Sequence, residues 1–270
     1  MIQDIKPHTF HNEFMKPDAN DEDILLSYNG KLILMHERDG QIDLPKVGEI
    51  HAENAQFLFN IDDKNYFMAE NADETDYYKY TDTAVLRWAQ PMWKAFAAAT
   101  GEQLYRWYSE HKFCGKCAEK LTKSETERAL VCPNCGHTIY PDIAPSVIVA
   151  LTDGDRLLMT KYAHGNYKKY ALVAGYNEIG EDIEHTVIRE VMEEVGLKVK
   201  NIRYYKSQPW SFTSTLLLGF FCELDGSDEI KLDKSELSEA VWFKRDEIPV
   251  NDSRFSLTNE MIELFRNGKI

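Results

Sequence analysis

Three things are scarce in this 270-residue sequence, and each excludes a class of protein. Its most apolar stretches, such as residues 215–222, are far shorter than the ~20 residues that span a bilayer. Its first residues include no long apolar segment of the secretory type. Positive charge is also limited, because 31 Lys and Arg face 45 Asp and Glu, a net charge of −14. We therefore expect a cytoplasmic protein without membrane contact.

The acidic balance also bears on nucleic acids. Non-specific affinity for nucleic acid comes from Lys and Arg on phosphates, so a generic nucleic-acid binder is disfavoured. An RNA end entering a local basic patch stays compatible with this composition. The length and the 43% apolar content predict a globular protein with two domains and one smaller unit.

The N-terminal part of the chain reads as a β-rich domain. Asn29-Gly30 lies between two apolar runs and predicts a hairpin. The pattern turns helical from Ala84, Pro91 is expected to interrupt it, and a second helix is expected after Gly101. No cluster of His, Cys or paired acids predicts chemistry in residues 1–80.

Only five cysteines are present, and four of them form two Cys-x-x-Cys pairs: Cys114, Cys117, Cys132 and Cys135. Four thiolates at this spacing predict a tetrahedral, structural Zn²⁺ site. Two disulfides are the alternative, which an intracellular location disfavours. The fifth, Cys222, lies in an apolar run and is interpreted as core. Acidic residues in the ribbon loop argue against nucleic-acid binding there.

The segment 175–197 carries the strongest signal for chemistry. Ile183, Val187, Val191 and Val195 recur every four residues, with Ile188 and Met192 beside them, and predict the core-facing stripe of a helix that ends at Gly196. Glu190, Glu193 and Glu194 fall on one side of that helix, where their mutual repulsion calls for a positive partner. The spacing suits Mg²⁺ or Mn²⁺. A solvated acidic face is the alternative.

Strands surround this helix on both sides in sequence. Runs at residues 146–151, 156–160, 170–174, 202–205, 215–223 and 240–243 predict strands, and residues 258–265 predict a final helix. Mixed strands with a helix inserted between them favour an α/β sandwich in which the acidic helix packs on a sheet.

The same segment resembles the signature of Nudix hydrolases. The matching positions are Gly175, Glu181, Arg189-Glu190-Val191, Glu193-Glu194 and Gly196-Leu197. About nine specified positions in 23 residues make a chance match very unlikely. The resemblance implies a Nudix α/β/α sandwich with a mixed sheet, preceded by a zinc ribbon and a β-rich N-terminal domain. It further implies hydrolysis of a nucleoside diphosphate linked to another group, with divalent metals on this helix.

Two neighbouring features narrow the resemblance to the NADH pyrophosphatase family. Residues 207–215 read Ser-Gln-Pro-Trp-Ser-Phe-Thr-Ser-Thr, similar to the array Ser-Gln-Pro-Trp-Pro-Phe-Pro-x-Ser of that family. Upstream, the four-cysteine ribbon is followed by Tyr140-Pro141 and Ala144-Pro145, as in the family. This likeness implies cleavage of NAD(H) to NMN(H) and AMP, removal of NAD caps from RNA 5′ ends, and a homodimer. Ser211, Thr213 and Thr215 depart from the family residues, which weakens the inference to NADH.

The expected mechanism is attack of water on one phosphorus of the pyrophosphate. Metals held by Glu190 and Glu194 neutralise the phosphate oxygens and lower the pKa of water. Glu193 is a further ligand or the base, Arg189 orients the acidic cluster, and Glu181 lies behind the ligands or acts through water.

Other roles are implied by the resemblance alone. It adds the Ala174 carbonyl and Glu236 as metal contacts, with Glu239 a near neighbour of the latter. The substrate contacts that it implies are Tyr140, Gln208, Pro209, Trp210, Ser211, Phe212, Thr213, Ser214, Thr215 and Thr258. Trp210 and Phe212 are candidates to stack on a base, with ordinary core aromatics as the alternative.

The predicted organisation is a divergent Nudix-like, β-rich N-terminal domain with a helical linker over residues 1–110, a zinc ribbon over 111–140 and a catalytic domain over 141–270. Two functional alternatives stay open. One is a Nudix hydrolase acting on ADP-ribose or dinucleoside polyphosphates. The other is a non-catalytic ligand sensor, which the intact acidic residues disfavour.

Overall fold

The computed structural model describes residues 1–165, 168–250 and 255–270 and divides into two compact units. The N-terminal unit comprises residues 2–142 together with 211–214. The C-terminal unit comprises Met1, residues 143–210 and residues 215–270. Within the described residues, no helix combines the length and the apolar character needed to cross a membrane.

A seven-stranded sheet forms the body of the N-terminal unit. Its strands are β1 (Phe10–His11), β2 (Ile24–Asn29), β3 (Leu32–Arg38), β4 (Gln41–Asp43), β5 (Gln56–Ile61), β6 (Lys64–Glu70) and β7 (Lys79–Asp82). They are ordered β1-β5-β6-β2-β3-β4, with β7 paired to β3. β2 and β3 pair antiparallel up to Asn29, so the hairpin predicted at Asn29-Gly30 is confirmed.

The helix α1 (Met92–Glu110) follows a 3₁₀ turn over Thr83–Arg87. The predicted second helix after Gly101 is wrong, because α1 continues through this glycine. A Cβ built on Gly101 would lie 2.5 Å from Leu26 Cδ1 and 2.6 Å from the Tyr28 hydroxyl. Glycine therefore serves close packing of the helix on β2 rather than a break.

Three short strands complete the N-terminal unit as a ribbon. β8 (Thr122–Lys123), β9 (Leu130–Val131) and β10 (Thr138–Ile139) form a sheet in the order β10-β9-β8. Trp107 of α1 packs in one buried cluster with Cys114 and Cys132.

The C-terminal unit is a six-stranded sheet with a helix on each face. Its strands are β11 (Ala144–Asp153), β12 (Arg156–Tyr162), β13 (Val173–Tyr176), β14 (Val199–Trp210), β15 (Thr215–Leu224) and β16 (Leu237–Lys244). The order is β14-β15-β11-β12-β16, with β13 paired to β11. β11 and β15 run parallel and the other pairs antiparallel, so the sheet is mixed.

The alternation of β11 divides the core of this unit in two. Val147, Val149 and Leu151 cluster with α2 (Ile183–Val195), whereas Ile148 and Ala150 cluster with α3 (Leu257–Arg266). Successive side chains of a strand point to opposite faces, which explains the division. The predicted α/β/α sandwich with a mixed sheet is confirmed.

The helix α2 begins after the N-cap Asp182, whose carboxylate accepts from the His185 N–H at 2.9 Å. It ends as predicted at Gly196, which has φ +69°. The predicted stripe is correct for Val187, Val191 and Val195, all fully buried. It is wrong for Ile188 and Met192, which are 41% and 40% exposed, because each lies about 100° around the helix from the buried row.

Candidate active site and zinc site

The approach of α2 to the sheet depends on Gly175 of β13. A Cβ built on Gly175 would lie 1.8–2.1 Å from the carboxylate atoms of Glu190. Only glycine leaves room for this carboxylate against the strand. The Ser146 hydroxyl donates to the Gly175 carbonyl at 2.7 Å and fixes the strand from the other side. Glu190 is thereby held against the backbone of β13.

Arg189 connects the predicted acidic residues. Its Nε and Nη2 donate to the two carboxylate oxygens of Glu181, each at 2.9 Å. Its Nη1 donates to Glu190 at 2.7 Å and to Glu193 at 2.9 Å, and Nη2 also donates to the Tyr176 carbonyl at 2.8 Å. A guanidinium offers five N–H donors in a fixed plane, so one side chain can orient three carboxylates. Arg189 is the positive partner that the acidic helix requires.

The charge on Arg189 also controls the ionisation of Glu181. Hydrogen bonds from Arg189 lower the pKa of Glu181 to about 2, against the opposing effect of burial. The carboxylates in turn raise the pKa of Arg189. Both groups are therefore charged at neutral pH.

Glu194 lies in a different environment from the other acids of α2. It is 2% exposed, and its Oε2 is buried with no hydrogen-bond partner among the described residues. Burial, followed by the charges of Glu190 and Glu236, raises the pKa of Glu194 to about 8. Burial also raises the pKa of Glu190, although Arg189 opposes it. A buried, unpartnered carboxylate oxygen beside a second buried carboxylate fits a divalent cation, which supplies the missing positive charge.

Glu236 and Glu239 differ in what they contact. Glu239 accepts from Lys161 Nζ at 2.7 Å and from the Tyr170 hydroxyl at 3.1 Å. The charge of Glu236 acts on both Glu190 and Glu194. The resemblance assigns the metal contact to Glu236 rather than to its neighbour Glu239, and Glu236 is the one of the two whose charge raises the pKa of both acids of α2. Among the described residues, only the four cysteines of the ribbon bring three or more potential ligand atoms within 4.8 Å of one another. The carboxylates of Glu190, Glu194 and Glu236 are therefore more widely spaced than these sulfur atoms.

Sequence reasoning missed three positions that fix this site: Ser146, Asn177 and Thr186. The Thr186 hydroxyl donates to Glu181 Oε2 at 2.9 Å, and Asn177 Nδ2 donates to the Glu181 carbonyl at 3.0 Å. A polar residue facing the core side of α2, as Thr186 does, was the one available signal. Nothing in the sequence distinguishes Ser146 from an ordinary strand residue.

The residues that the resemblance assigns to substrate fall into two groups. Gln208, Pro209, Trp210, Thr215 and Thr258 belong to the C-terminal unit. Gln208 is fully buried, donates from Nε2 to the Phe255 carbonyl at 3.0 Å and accepts from the Leu257 N–H at 2.7 Å. Trp210 makes an edge contact with Phe255, with ring centroids 5.3 Å apart. Thr258 is half-buried in the first turn of α3.

Tyr140, Ser211, Phe212, Thr213 and Ser214 belong to the N-terminal unit. Tyr140 is 56% exposed, and its hydroxyl donates to Glu127 at 3.1 Å. Residues 211–213 form a 3₁₀ turn. The guanidinium carbon of Arg87 lies 4.4 Å from the ring centroid of Phe212, a cation–π contact.

The four predicted zinc ligands converge. Their sulfur atoms all lie within 4.8 Å of one another, and three of the Sγ–Sγ distances are 3.5–3.7 Å. A tetrahedral Zn²⁺ with 2.3 Å bonds places its sulfurs about 3.8 Å apart, whereas a disulfide requires about 2.05 Å. All four are free cysteines in the structure, which favours zinc over two disulfides. A backbone hydrogen bond from Glu119 is the largest effect that lowers the pKa of Cys117 to about 6, which favours the thiolate that zinc binds.

Comparison with known proteins agrees with this architecture. Residues 142–266 match the NUDIX domain, so the C-terminal unit is of the Nudix class. Residues 109–140 match the NADH pyrophosphatase zinc ribbon domain. The predicted Nudix domain and the predicted zinc ribbon are both confirmed.

Curated relatives match part of the chain, over the same number of residues in each case. The NAD-capped RNA hydrolase NudC of Pectobacterium carotovorum is 40% identical over 166 residues, and that of Citrobacter koseri is 42% identical over the same length. In both cases the match spans 62% of this chain and 64% of the relative. The crystal structure of a NUDIX hydrolase from Nitrosomonas europaea is 25% identical with a TM-score of 0.50, covering 58% of this chain and 91% of that one.

Proposed function

We propose that this chain is a metal-dependent pyrophosphohydrolase that cleaves NAD(H) to NMN(H) and AMP and removes NAD caps from RNA 5′ ends. The observation that carries the proposal is the unpartnered Glu194 carboxylate oxygen, buried beside Glu190 against the Gly175 strand. The substrate class rests on the zinc ribbon, on residues 207–215 and on the relatives named NAD-capped RNA hydrolase.

In this proposal Glu190, Glu194, Glu236 and the Ala174 carbonyl hold Mg²⁺ or Mn²⁺. The metal, when bound, neutralises charge on the pyrophosphate and makes water a stronger nucleophile. The water oxygen forms a bond to one phosphorus while the bond from that phosphorus to the bridging oxygen breaks. The bridging oxygen leaves on the other phosphate, so the products are two monophosphates.

The protein residues have separate tasks. Arg189 keeps Glu190 in place and, with Glu181, forms a rigid ion pair behind it. Glu193 shares Arg189 yet has a 59% exposed side chain, which leaves it accessible as a base or a further ligand. Tyr140, residues 208–215 and Thr258 contact the substrate, and Trp210 and Phe212 are the candidates to stack on a base.

The resemblance supports three further proposals. We propose that the protein is a homodimer, that it acts in the cytoplasm, and that its domains are residues 1–110, 111–140 and 141–270. Sedimentation of the purified chain at several concentrations tests the homodimer.

A substrate panel tests the proposed reaction. We expect higher kcat/KM for NADH than for ADP-ribose or diadenosine tetraphosphate, with NMNH and AMP as products, in Mg²⁺ or Mn²⁺. NAD-capped RNA is compared in the same assay with 5′-triphosphate RNA. Glu194→Gln removes the charge and keeps the shape of the side chain, so it should lower kcat by about two orders of magnitude or more.

Each part of the proposal has its own contradicting result. Faster turnover of ADP-ribose than of NADH would favour the ADP-ribose alternative, for which the non-proline residues Ser211 and Thr213 are the motivating observation. Near-normal turnover by Glu194→Gln at saturating metal would contradict the metal role of α2. Binding of NADH without products would indicate a ligand sensor.

A further inference from the structure

The short connection between β14 and β15 lacks the constraint that its counterparts in the NADH pyrophosphatase family have. Ser211 and Thr213 stand where the family array has proline. A proline ring fixes φ near −65°, so serine and threonine leave more backbone conformations open. Ser214 adds a cost, since it holds φ +55° without being glycine. The pairing of Trp210 with Thr215 holds the ends of the connection, and side-chain contacts can further restrict the residues between them.

Arg106 of α1 joins the two ends of this connection. Its Nη2 donates to the Ser211 carbonyl at 2.7 Å and to the Ser214 hydroxyl at 2.9 Å. The turn itself is closed by a longer bond, 3.3 Å from the Ser214 N–H to the Ser211 carbonyl. All of these residues belong to the N-terminal unit. A charged donor bound to both ends of a turn stabilises the closed form more than a neutral one would.

Arg106 is in turn held by a buried acid. Its Nη1 donates to Glu102 Oε1 at 3.0 Å, one helical turn earlier in α1. Glu102 is 7% exposed. A buried carboxylate that loses this cation is left without compensation. The pair therefore restricts the guanidinium to the side of α1 that contacts residues 211–214.

We propose that Arg106 is a positioning residue for substrate binding, because it replaces the missing prolines as the element that fixes residues 211–214. This inference rests on the proposed function in one respect, the assignment of Phe212 and its neighbours to the substrate. Arg106 touches neither substrate nor metal in this scheme. Glu102 acts through Arg106, and the cation–π contact of Arg87 fixes the Phe212 ring on the same connection.

Arg106→Met tests the proposal, since it removes the guanidinium and keeps most of the side-chain volume. Hydrogen exchange of the peptide 208–216 should become about tenfold faster, the expected effect of losing one charged hydrogen-bonding group. KM for NADH should rise by a similar factor while kcat changes less than about twofold, because the carboxylates of α2 are untouched. Arg38→Met is the matched control: this arginine side chain is 82% exposed, and its loss should change neither quantity.

Two further variants separate positioning from a general loss of structure. Ser214→Gly removes the hydroxyl acceptor while favouring the left-handed backbone and leaves the contacts within α1 in place, so hydrogen exchange of the peptide 208–216 should still become faster. Ser211→Pro is added to Arg106→Met as a rescue. Position 211 opens the 3₁₀ turn and follows the extended Trp210, both of which suit proline. We expect the double variant to recover slow exchange and most of the lost affinity.

Unchanged exchange and KM in a folded Arg106→Met variant would overturn the proposal. If Arg106→Met lowers the melting temperature broadly, unchanged exchange of the peptide 208–216 in Ser214→Gly overturns it instead. Failure of Ser211→Pro to restore either quantity would show that rigidity is not what Arg106 supplies. If the wild-type protein does not cleave NADH, the proposed function fails while the exchange measurement still decides whether Arg106 fixes the connection.

Discussion

The side chain of Arg189 shows how a repulsive set of carboxylates becomes a stable site. Three acids of α2 repel one another at i, i+3 and i+4 spacing. Arg189 donates hydrogen bonds to two of them, Glu190 and Glu193, and to Glu181, which precedes the helix. Glu194 is the acid of this set to which Arg189 makes no described bond, and its Oε2 is buried and unpartnered. The ion pairs satisfy the surrounding acids and leave Glu194, which we propose as a metal ligand, without one.

The pKa of Glu181 leads to a prediction about acid stability. Arg189 lowers this pKa from 4.5 to about 2 in the folded protein. A carboxyl with a depressed folded pKa contributes stability that is present above its unfolded pKa and is lost as pH falls through the folded value. Glu181→Gln should therefore lower stability at neutral pH and flatten the loss of stability between about pH 4.5 and pH 2.

Urea unfolding at a series of pH values measures this effect. Glu229→Gln is the control, because Glu229 is an exposed acid elsewhere in the same unit. If the free energy of unfolding falls as steeply between pH 4.5 and pH 2 in Glu181→Gln as in the wild type, the Glu181–Arg189 pair adds nothing to folding.

At the scale of elements, the sequence predicted what local chemistry decides. The Asn29-Gly30 hairpin and the end of α2 at Gly196 follow from the backbone preferences of a few neighbouring residues. The Cys-x-x-Cys spacing, which predicted that the four cysteines converge, is equally local. These predictions needed no knowledge of what the elements pack against.

Two features that the sequence did not reveal depend on distant contacts. Gly101 reads as a helix break, but its missing side chain admits Leu26 and Tyr28, which lie more than 70 residues earlier. The hydrogen bonds from Arg106 to residues 211–214 join positions more than 100 residues apart. Neither contact produces a periodic or compositional pattern in the sequence, so only the three-dimensional structure reveals it.

The zinc ribbon leads to a prediction about zinc content and thermal stability. Cys117→Ser removes one of four converging sulfurs, so it should reduce bound zinc well below one per chain and lower the melting temperature. Elemental analysis and calorimetry measure the two effects. Cys222→Ala is the matched control, because this buried cysteine lies in the C-terminal unit away from the cluster and its loss should leave the zinc content unchanged.

Retention of a full zinc complement by Cys117→Ser would contradict the four-cysteine site. A wild-type mass lower by four hydrogens, with no zinc, would instead indicate two disulfides. Either result would remove the structural basis of the ribbon.

At the scale of the whole molecule, each of the two compact units includes a short segment from outside its main range of sequence. Met1 is 5% exposed in the C-terminal core, in one cluster with Leu257 and Met261. Residues 211–214 lie in the opposite unit, bonded to α1. Each unit therefore includes residues from beyond its main sequence range.

Because Met1 belongs to the C-terminal unit and residues 211–214 to the N-terminal unit, we expect a fragment of residues 141–270 to fold but to be less stable than the same unit in the full chain. Loss of the buried Met1 side chain alone removes about 1.5–3 kcal/mol of apolar burial, and residues 211–214 lose the hydrogen bonds from Arg106. Urea unfolding of the full chain, of fragment 141–270, and of its mixture with fragment 1–140 measures the difference. The mixture should regain part of the lost stability, because fragment 1–140 supplies both Met1 and α1. A fragment as stable alone as in the full chain would show that the exchanged residues add nothing and that 141–270 is an independent folding unit.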